Sequence, residues 1–276
     1  MQKKTLSLGK LPELPNNKID ILSAGTWFGD GGAALGIMPK VLWQKLLPTD
    51  EYNRLKFDTN VLLIRAPHHN ILVDTGFGNR PSDKQKKIYQ TSDYTLLQNL
   101  QRFDLKPTDI NYVILSHLHF DHAGGIISTV QGDSQLTFPN AIHIIQKQEW
   151  AMAQNPDQLN LKAYNFKRDL QILEDSENLL LIDGDYQLTE EISLELVGGH
   201  SIGLQVVRIA EGDFLAYFGS DIFPLEVHKH LAVTAAVDLC RNTTFTAKQK
   251  IWNELQSKQG YLIFSHDLKK KFIQII

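Results

Sequence analysis

The stretch NYVILSHLHFDHAGG (residues 111–125) carries strand-forming residues straight into His117, His119, Asp121 and His122. Side chains alternate along an extended segment, so His117 and His119 point to one side and can share an ion. Asp121 keeps that parity and His122 does not. Once the chain turns, with Gly124 and Gly125 letting it turn tightly, Asp121 and His122 can reach a second ion beside the first. So many ionisable groups buried at a strand end without a counter-charge would be costly, and a divalent cation neutralises them.

That cluster alone offers at most two ligands per ion, whereas zinc-type catalytic sites take three protein ligands and a water. The missing ligands are therefore expected at the ends of other strands. Three residues hold that position: His200 after ISLELVGG, Asp221 after FLAYFGS and His266 after YLIFS. Each follows an apolar run and a small residue.

Around these residues the pattern is strand-rich. Strands read at 18–25, 60–67, 70–78, 110–117, 141–146, 192–200, 203–213, 214–221 and 261–267, with a hairpin turn at Glu211-Gly212-Asp213. Helices read at 92–105, from Gln148 to near Pro156, and at 246–260 with a threonine cap. The charge runs 83–87 and 269–271 read as solvated faces. Two strand-rich halves with few helices favour packed sheets with helices outside.

At 276 residues and 42% hydrophobic the chain can bury a full core, and one domain over 1–276 with an N-terminal extension at 1–17 is the expectation. A net charge of −3 gives no general attraction to nucleic acid or anionic membrane, which leaves small-molecule chemistry. The single cysteine, Cys240, excludes an internal disulfide and a cysteine-based zinc site, and reads as a reduced, inert core thiol. The first twenty residues lack an apolar stretch of signal-peptide length, and no apolar run reaches the roughly 20 residues of a membrane helix, so a soluble, cytoplasmic protein is expected. The apolar segment LGIMPKVLWQKLL (35–47) suits either a homodimer patch or a pocket lid.

The segments SHLHFDHAGG, VGGHSIGLQVV, GSDIFP and FSHD resemble, in order and spacing, the metal-binding motifs of the metallo-β-lactamase superfamily. Upstream, GTWFGDGGAALGIMPKVLW and ILVDTGFG are similar to the branch that contains quorum-quenching acyl-homoserine lactonases of the YtnP type and organophosphate hydrolases related to methyl parathion hydrolase. The resemblance runs from about residue 20 to 267. It implies an α+β, four-layer αβ/βα sandwich with metals between the edges of two sheets. It implies that His117, His119 and His200 hold one metal, that Asp121, His122 and His266 hold the other, and that Asp221 bridges them. Asp74 of DTG is structural in that family, and Asp121 would pass a proton to the leaving group.

Two divalent ions, most naturally zinc, would lower the pKa of a bridging water and supply hydroxide at neutral pH to a lactone or ester, N-acyl-homoserine lactone above all. No side-chain nucleophile is needed, and no Gly-x-Ser-x-Gly elbow occurs. Phe28, with Trp27, Leu35, Ile37 and Met38, is a candidate apolar wall; His228 and His230 are candidate substrate contacts. Two departures stand out. Many lactonases of the superfamily place a tyrosine shortly after the bridging aspartate, whereas this chain reads DIFPLEVHKH; and the family's DGGAMFG is here DGGAALG. The competing expectations are an organophosphate, phosphodiester or thioester hydrolase of the same fold, an iron-dependent oxygenase or redox protein on the same scaffold, since iron, manganese and cobalt also accept these ligands, and a non-catalytic binding module.

Overall fold

The structure, a computed structural model, describes residues 5–6 and 11–276. Residues 1–4 and 7–10 of the expected 1–17 extension, and with them the start of the segment searched for a signal sequence, lie outside the described residues. The strand Thr5–Leu6 pairs with Phe272–Ile275 at one edge of a sheet.

Two sheets form the body. One has six strands in the order Lys18–Asp30, Arg54–Arg65, Asn70–Val73, Tyr112–Ile114, Ile142–Gln146, Leu179–Ile182. Its first three are antiparallel and the rest parallel. The other has seven, in the order Thr5–Leu6, Phe272–Ile275, Tyr261–Ile263, Phe214–Phe218, Gln205–Glu211, Ile192–Leu196, Tyr186–Gln187.

Strand parity explains the layering. In Arg54–Arg65 the residues Val61 and Leu63 enter a core shared with the outer helices, including Leu96–Gln101 and Lys147–Gln154, while Leu62 and Ile64 enter the core between the sheets. In the second sheet Val207, Ile209, Ala216 and Phe218 join that middle core, whereas Val206, Leu215 and Tyr217 pack under the long helix Arg241–Lys258. Period-two alternation thus serves three cores from two sheets. Each fully buried Leu or Ile contributes roughly 1.5–3 kcal/mol. The result is the four-layer sandwich of the metallo-β-lactamase fold. Among the described residues no helix is long and apolar enough to cross a membrane.

Several local readings are corrected. The first strands are longer than the sequence indicated, because Thr26–Asp30 continues past a register shift to pair with Arg54–Asp58. The helix read over 92–105 shortens to Leu96–Gln101. The helix read from 246 begins at Arg241, ahead of the nominated threonine cap. Charge run 83–87 belongs to the helix Asp83–Tyr89, opened by a Ser82–Gln85 capping box that was legible as S-x-x-Q. Lys271 of the second charge run is not simply solvated: its Nζ pairs with Asp58 Oδ2 at 2.5 Å and donates to Asn60 Oδ1 at 2.6 Å. Cys240 is exposed at the start of the long helix rather than buried, and hydrogen bonds from Thr243 lower its pKa. Its N–H donates to Gly199 O at 2.9 Å, so it sits beside the His200 loop.

At one end the sheets are joined by hydrogen bonds. Asp58 N–H donates to His266 O, Asn60 N–H to Ser265 O, and Gln205 N–H to Ser116 O. Asn60 is 1% exposed, and its Nδ2 donates to Phe264 O at 2.8 Å and Asp267 O at 3.1 Å. Asn60→Ala would take from Phe264 O its side-chain donor and from the Lys271 ammonium one of its acceptors, Asp58 Oδ2 and Asp267 O remaining, a loss expected at about 1–3 kcal/mol. A lowered denaturant midpoint at unchanged m value is the expected reading, and a shift within error would refute it.

Candidate metal centre

At the joined end, several strands release their chains toward one point. Asp74 follows Asn70–Val73, residues 117–122 follow Tyr112–Ile114, Asp221 follows Phe214–Phe218 and His266 follows Tyr261–Ile263. His200 arrives through Gly198 and Gly199, both at positive φ, after Ile192–Leu196. Convergence at carboxyl ends of strands is where sheets of this kind present their functional groups.

The nominated residues form two adjoining groups. Side-chain ligand atoms of His117, His119 and His200 lie within 4.8 Å of one another, as do those of Asp121, His122, Asp221 and His266. Asp221 touches both groups. Its Oδ1 is 3.2 Å from His122 Nε2 and 3.1 Å from His266 Nε2, and its Oδ2 is 3.4 Å from His200 Nε2. Asp121 Oδ2 is 3.4 Å from His266 Nε2.

The local reason for this cluster differs in detail from the parity argument. The strand ends at Ile114, and Phe120–Ala123 is one helical turn with His119 at its N-cap, so Asp121 and His122 swing round together. Gly124 has an ordinary helical φ of −62°. Its absent side chain serves contact instead: a Cβ on Gly124 would lie 2.5 Å from Phe77 O, and one on Gly125 2.3 Å from Thr75 O. The DTG loop and the histidine turn therefore meet backbone to backbone.

The outward nitrogens of the rings are held. His122 Nδ1 is 2.8 Å from Asp74 Oδ2, whose carboxylate also accepts Ser116 N–H and Oγ–H. His266 Nδ1 donates to Asp58 O at 2.9 Å, and His200 Nδ1 is 2.9 Å from Asp238 Oδ1. With protons committed to Nδ1, the inward Nε2 atoms present lone pairs. Yet His122 Nε2 faces His266 Nε2 at 3.1 Å, His200 Nε2 faces His119 Nδ1 at 3.1 Å, and His117 Nε2 is buried without a partner. Facing lone pairs at this distance repel unless a proton or a cation lies between them. This donor set of five imidazoles and two carboxylates fits divalent metal.

The electrostatics are consistent with that. Burial, then neighbouring histidines, holds His117 and His119 well below the usual imidazole range. Burial opposes charge on His122, but Asp221, Asp121 and Asp74 together outweigh it and raise its pKa. Burial would likewise raise Asp221, and His122 and His266 override it to hold the carboxyl well below the ordinary range.

A cavity of about 400 Å³ opens over both groups, reaching His119, Asp121, His200, Asp221 and His266. Trp27, Phe57, Tyr89 and Phe120 line it as a run of ring contacts: Trp27 to Phe57 at 4.8 Å, Trp27 to Phe120 at 5.9 Å, and Tyr89 stacked on Phe120 at 4.9 Å. Ala33, Ala34 and Pro224 add small apolar surface.

Three nominated substrate residues lie elsewhere. Phe28 is on the opposite face of its strand from Trp27, under Arg54 and Lys56. His228 is 1% exposed behind the wall, its Nε2 3.1 Å from Ala34 O, and burial followed by the Lys248 charge pushes its pKa down to about 3. His230 is exposed and outside the cavity. Trp27, nominated beside Phe28 for the apolar wall, is the one of the two that lines the cavity; the sequence reading missed Tyr89, at the end of an unrecognised helix, and Asp238. The capping box could have found Tyr89's helix; Asp238, in AAVDL, carries no local signal.

Comparison with known proteins agrees with the geometry. Residues 55–131 match the Metallo-beta-lactamase superfamily. An N-acyl homoserine lactonase of Bacillus cereus is 30% identical over 168 residues, 57% of this chain and 60% of that one, so the matched segment spans less than two thirds of the relative's length. A probable metal-dependent hydrolase from Staphylococcus aureus superposes with a TM-score of 0.87 at 29% identity, covering 93% of this chain and 91% of that one. AidC, a dizinc quorum-quenching lactonase, superposes with a TM-score of 0.75 at 21% identity, covering 98% and 92%, and bears on the fold alone. Residues 55–131 thus resemble the metallo-β-lactamase superfamily, and over nearly its whole length the chain has the fold of the metal-dependent hydrolase it superposes on.

Proposed function

We propose that the chain is a metal-dependent hydrolase that opens a lactone, with N-acyl homoserine lactone as the favoured substrate class. The observation that carries the reading is the Asp221 carboxylate set between two histidine groups whose inward nitrogens face one another. His117, His119 and His200 would hold one ion and Asp121, His122 and His266 the other, with Asp221 shared; zinc suits this donor set. Ions held there would supply Lewis-acid activation of water and of the substrate carbonyl.

The chain's own residues account for the rest. Asp121 lines the cavity, where its carboxylate can take a proton from the attacking water and return it to the alkoxide as the acyl C–O bond breaks. Trp27, Phe57 and Phe120 offer an apolar surface to an acyl chain. The tyrosine that many lactonases carry after the bridging aspartate is replaced here by residues including Pro224, which lines the cavity and cannot donate. The Tyr89 hydroxyl is a donor on the wall, close enough to Asp121 for that charge, after burial, to raise its pKa. The lactonase relatives favour a lactone over a phosphotriester.

Elemental analysis should find two ions per chain, matching the two groups, and a chelator should abolish hydrolysis. Acid release from N-hexanoyl homoserine lactone is the direct assay, with an aryl phosphotriester alongside; phosphotriester turnover without lactone turnover would replace the reading. Asp121→Asn should lower kcat by about 10²–10⁴. Tyr89→Phe should lower kcat/KM about tenfold, the worth of one hydrogen bond, and an unchanged value would remove Tyr89 from substrate contact.

A further inference from the structure

We propose that Glu149 is a positioning residue that locks together the two chain segments carrying His117, His119 and His200; the inference rests on the dinuclear reading above. Glu149 sits at the start of the helix Lys147–Gln154 and is 1% exposed. Its Oε1 accepts Leu118 N–H at 3.0 Å, the amide between His117 and His119. Its Oε2 accepts Gly203 N–H at 2.9 Å, three residues after His200. One carboxylate thus spans a loop from the six-stranded sheet and a loop from the seven-stranded sheet.

Two further contacts tighten this bridge. Tyr164 Oη donates to Glu149 Oε1 at 2.9 Å, and the Tyr164 ring packs on His119 with centroids 5.2 Å apart. The neighbouring Gln148 Nε2 donates to Ile202 O at 2.7 Å. Gly203 makes the approach possible, since a Cβ there would lie 2.4 Å from Glu149 Cβ and 2.6 Å from its backbone nitrogen. All three donors to Glu149 are uncharged, so the carboxylate is held by hydrogen bonds alone, beside the first histidine group. The second group is secured by other means, through Asp74 on His122 and Asp58 O on His266.

The consequence is selective. Glu149→Gln turns one acceptor oxygen into an amide nitrogen that cannot accept, so one of the two loops loses its tie. Its first ion should bind about 10–100-fold more weakly, as when an outer partner of a ligand is removed, while the second ion should hold near its wild-type affinity. Competition of zinc against a chromophoric chelator, resolved into two binding constants, reads both. Tyr164→Phe, which removes one hydrogen bond and leaves the carboxylate, should shift the same constant by less, and decides the matter alone if Glu149→Gln does not fold. Equal weakening at both sites would make Glu149 a merely structural residue, and unchanged constants would remove the coupling; either overturns the proposal. If the wild-type protein takes up fewer than two ions, the dinuclear reading itself fails, a result distinct from either of these.

Discussion

Two pairs of imidazole nitrogens face each other across 3.1 Å beside the cavity, and the surrounding loops hold them there. Left alone, such pairs would push apart. They are kept in place because three of the four rings commit the outward nitrogen to a fixed acceptor: a carboxylate for His122 and His200, a backbone carbonyl for His266. Fixing the tautomer from outside turns lone pairs inward, and the inward lone pairs create the demand for positive charge that Asp221 and Asp121 sharpen further.

Holding that arrangement distorts the backbone. Asp74 and Ser220, neither of them glycine, stand at φ values of 65° and 45° beside the centre. Their left-handed conformations are enforced by neighbours: Asp74 N–H donates to Ile114 O, while Ser220 Oγ donates to Ser116 Oγ and its carbonyl accepts from Ser265. Strain of this sort, about 1–3 kcal/mol per residue, persists only where surrounding contacts over-determine it. Here those contacts come from both sheets, so the middle core that aligns the sheets also sets the geometry of the centre.

How much of this was legible in the sequence depends on the range of the cause. Alternating apolar residues announced the strands, because parity is a local property; the clustered residues 117–122 announced metal for the same reason. His200, Asp221 and His266 could be nominated because each follows its own strand end. What escaped was set by tertiary contact. Nothing near Asp238 or Glu149 in the sequence says that they face a histidine loop. Phe28 and Trp27 are equally apolar, and only the register with Arg54–Arg65 decides which faces the cavity. Lys271 looked like one of three surface lysines until the fold set Asp58 opposite it.

The partners that face one another in the centre are 81 and 144 residues apart in the chain. Because closure entropy grows only with the logarithm of loop length, bringing together the second pair costs about 0.5 kcal/mol more than the first. Distance along the chain is therefore a weak constraint on where a ligand can come from. The connections between these strand ends are free to lengthen, shorten or acquire lids over evolutionary time, so the mouth of the cavity can be rebuilt while the floor stays as it is.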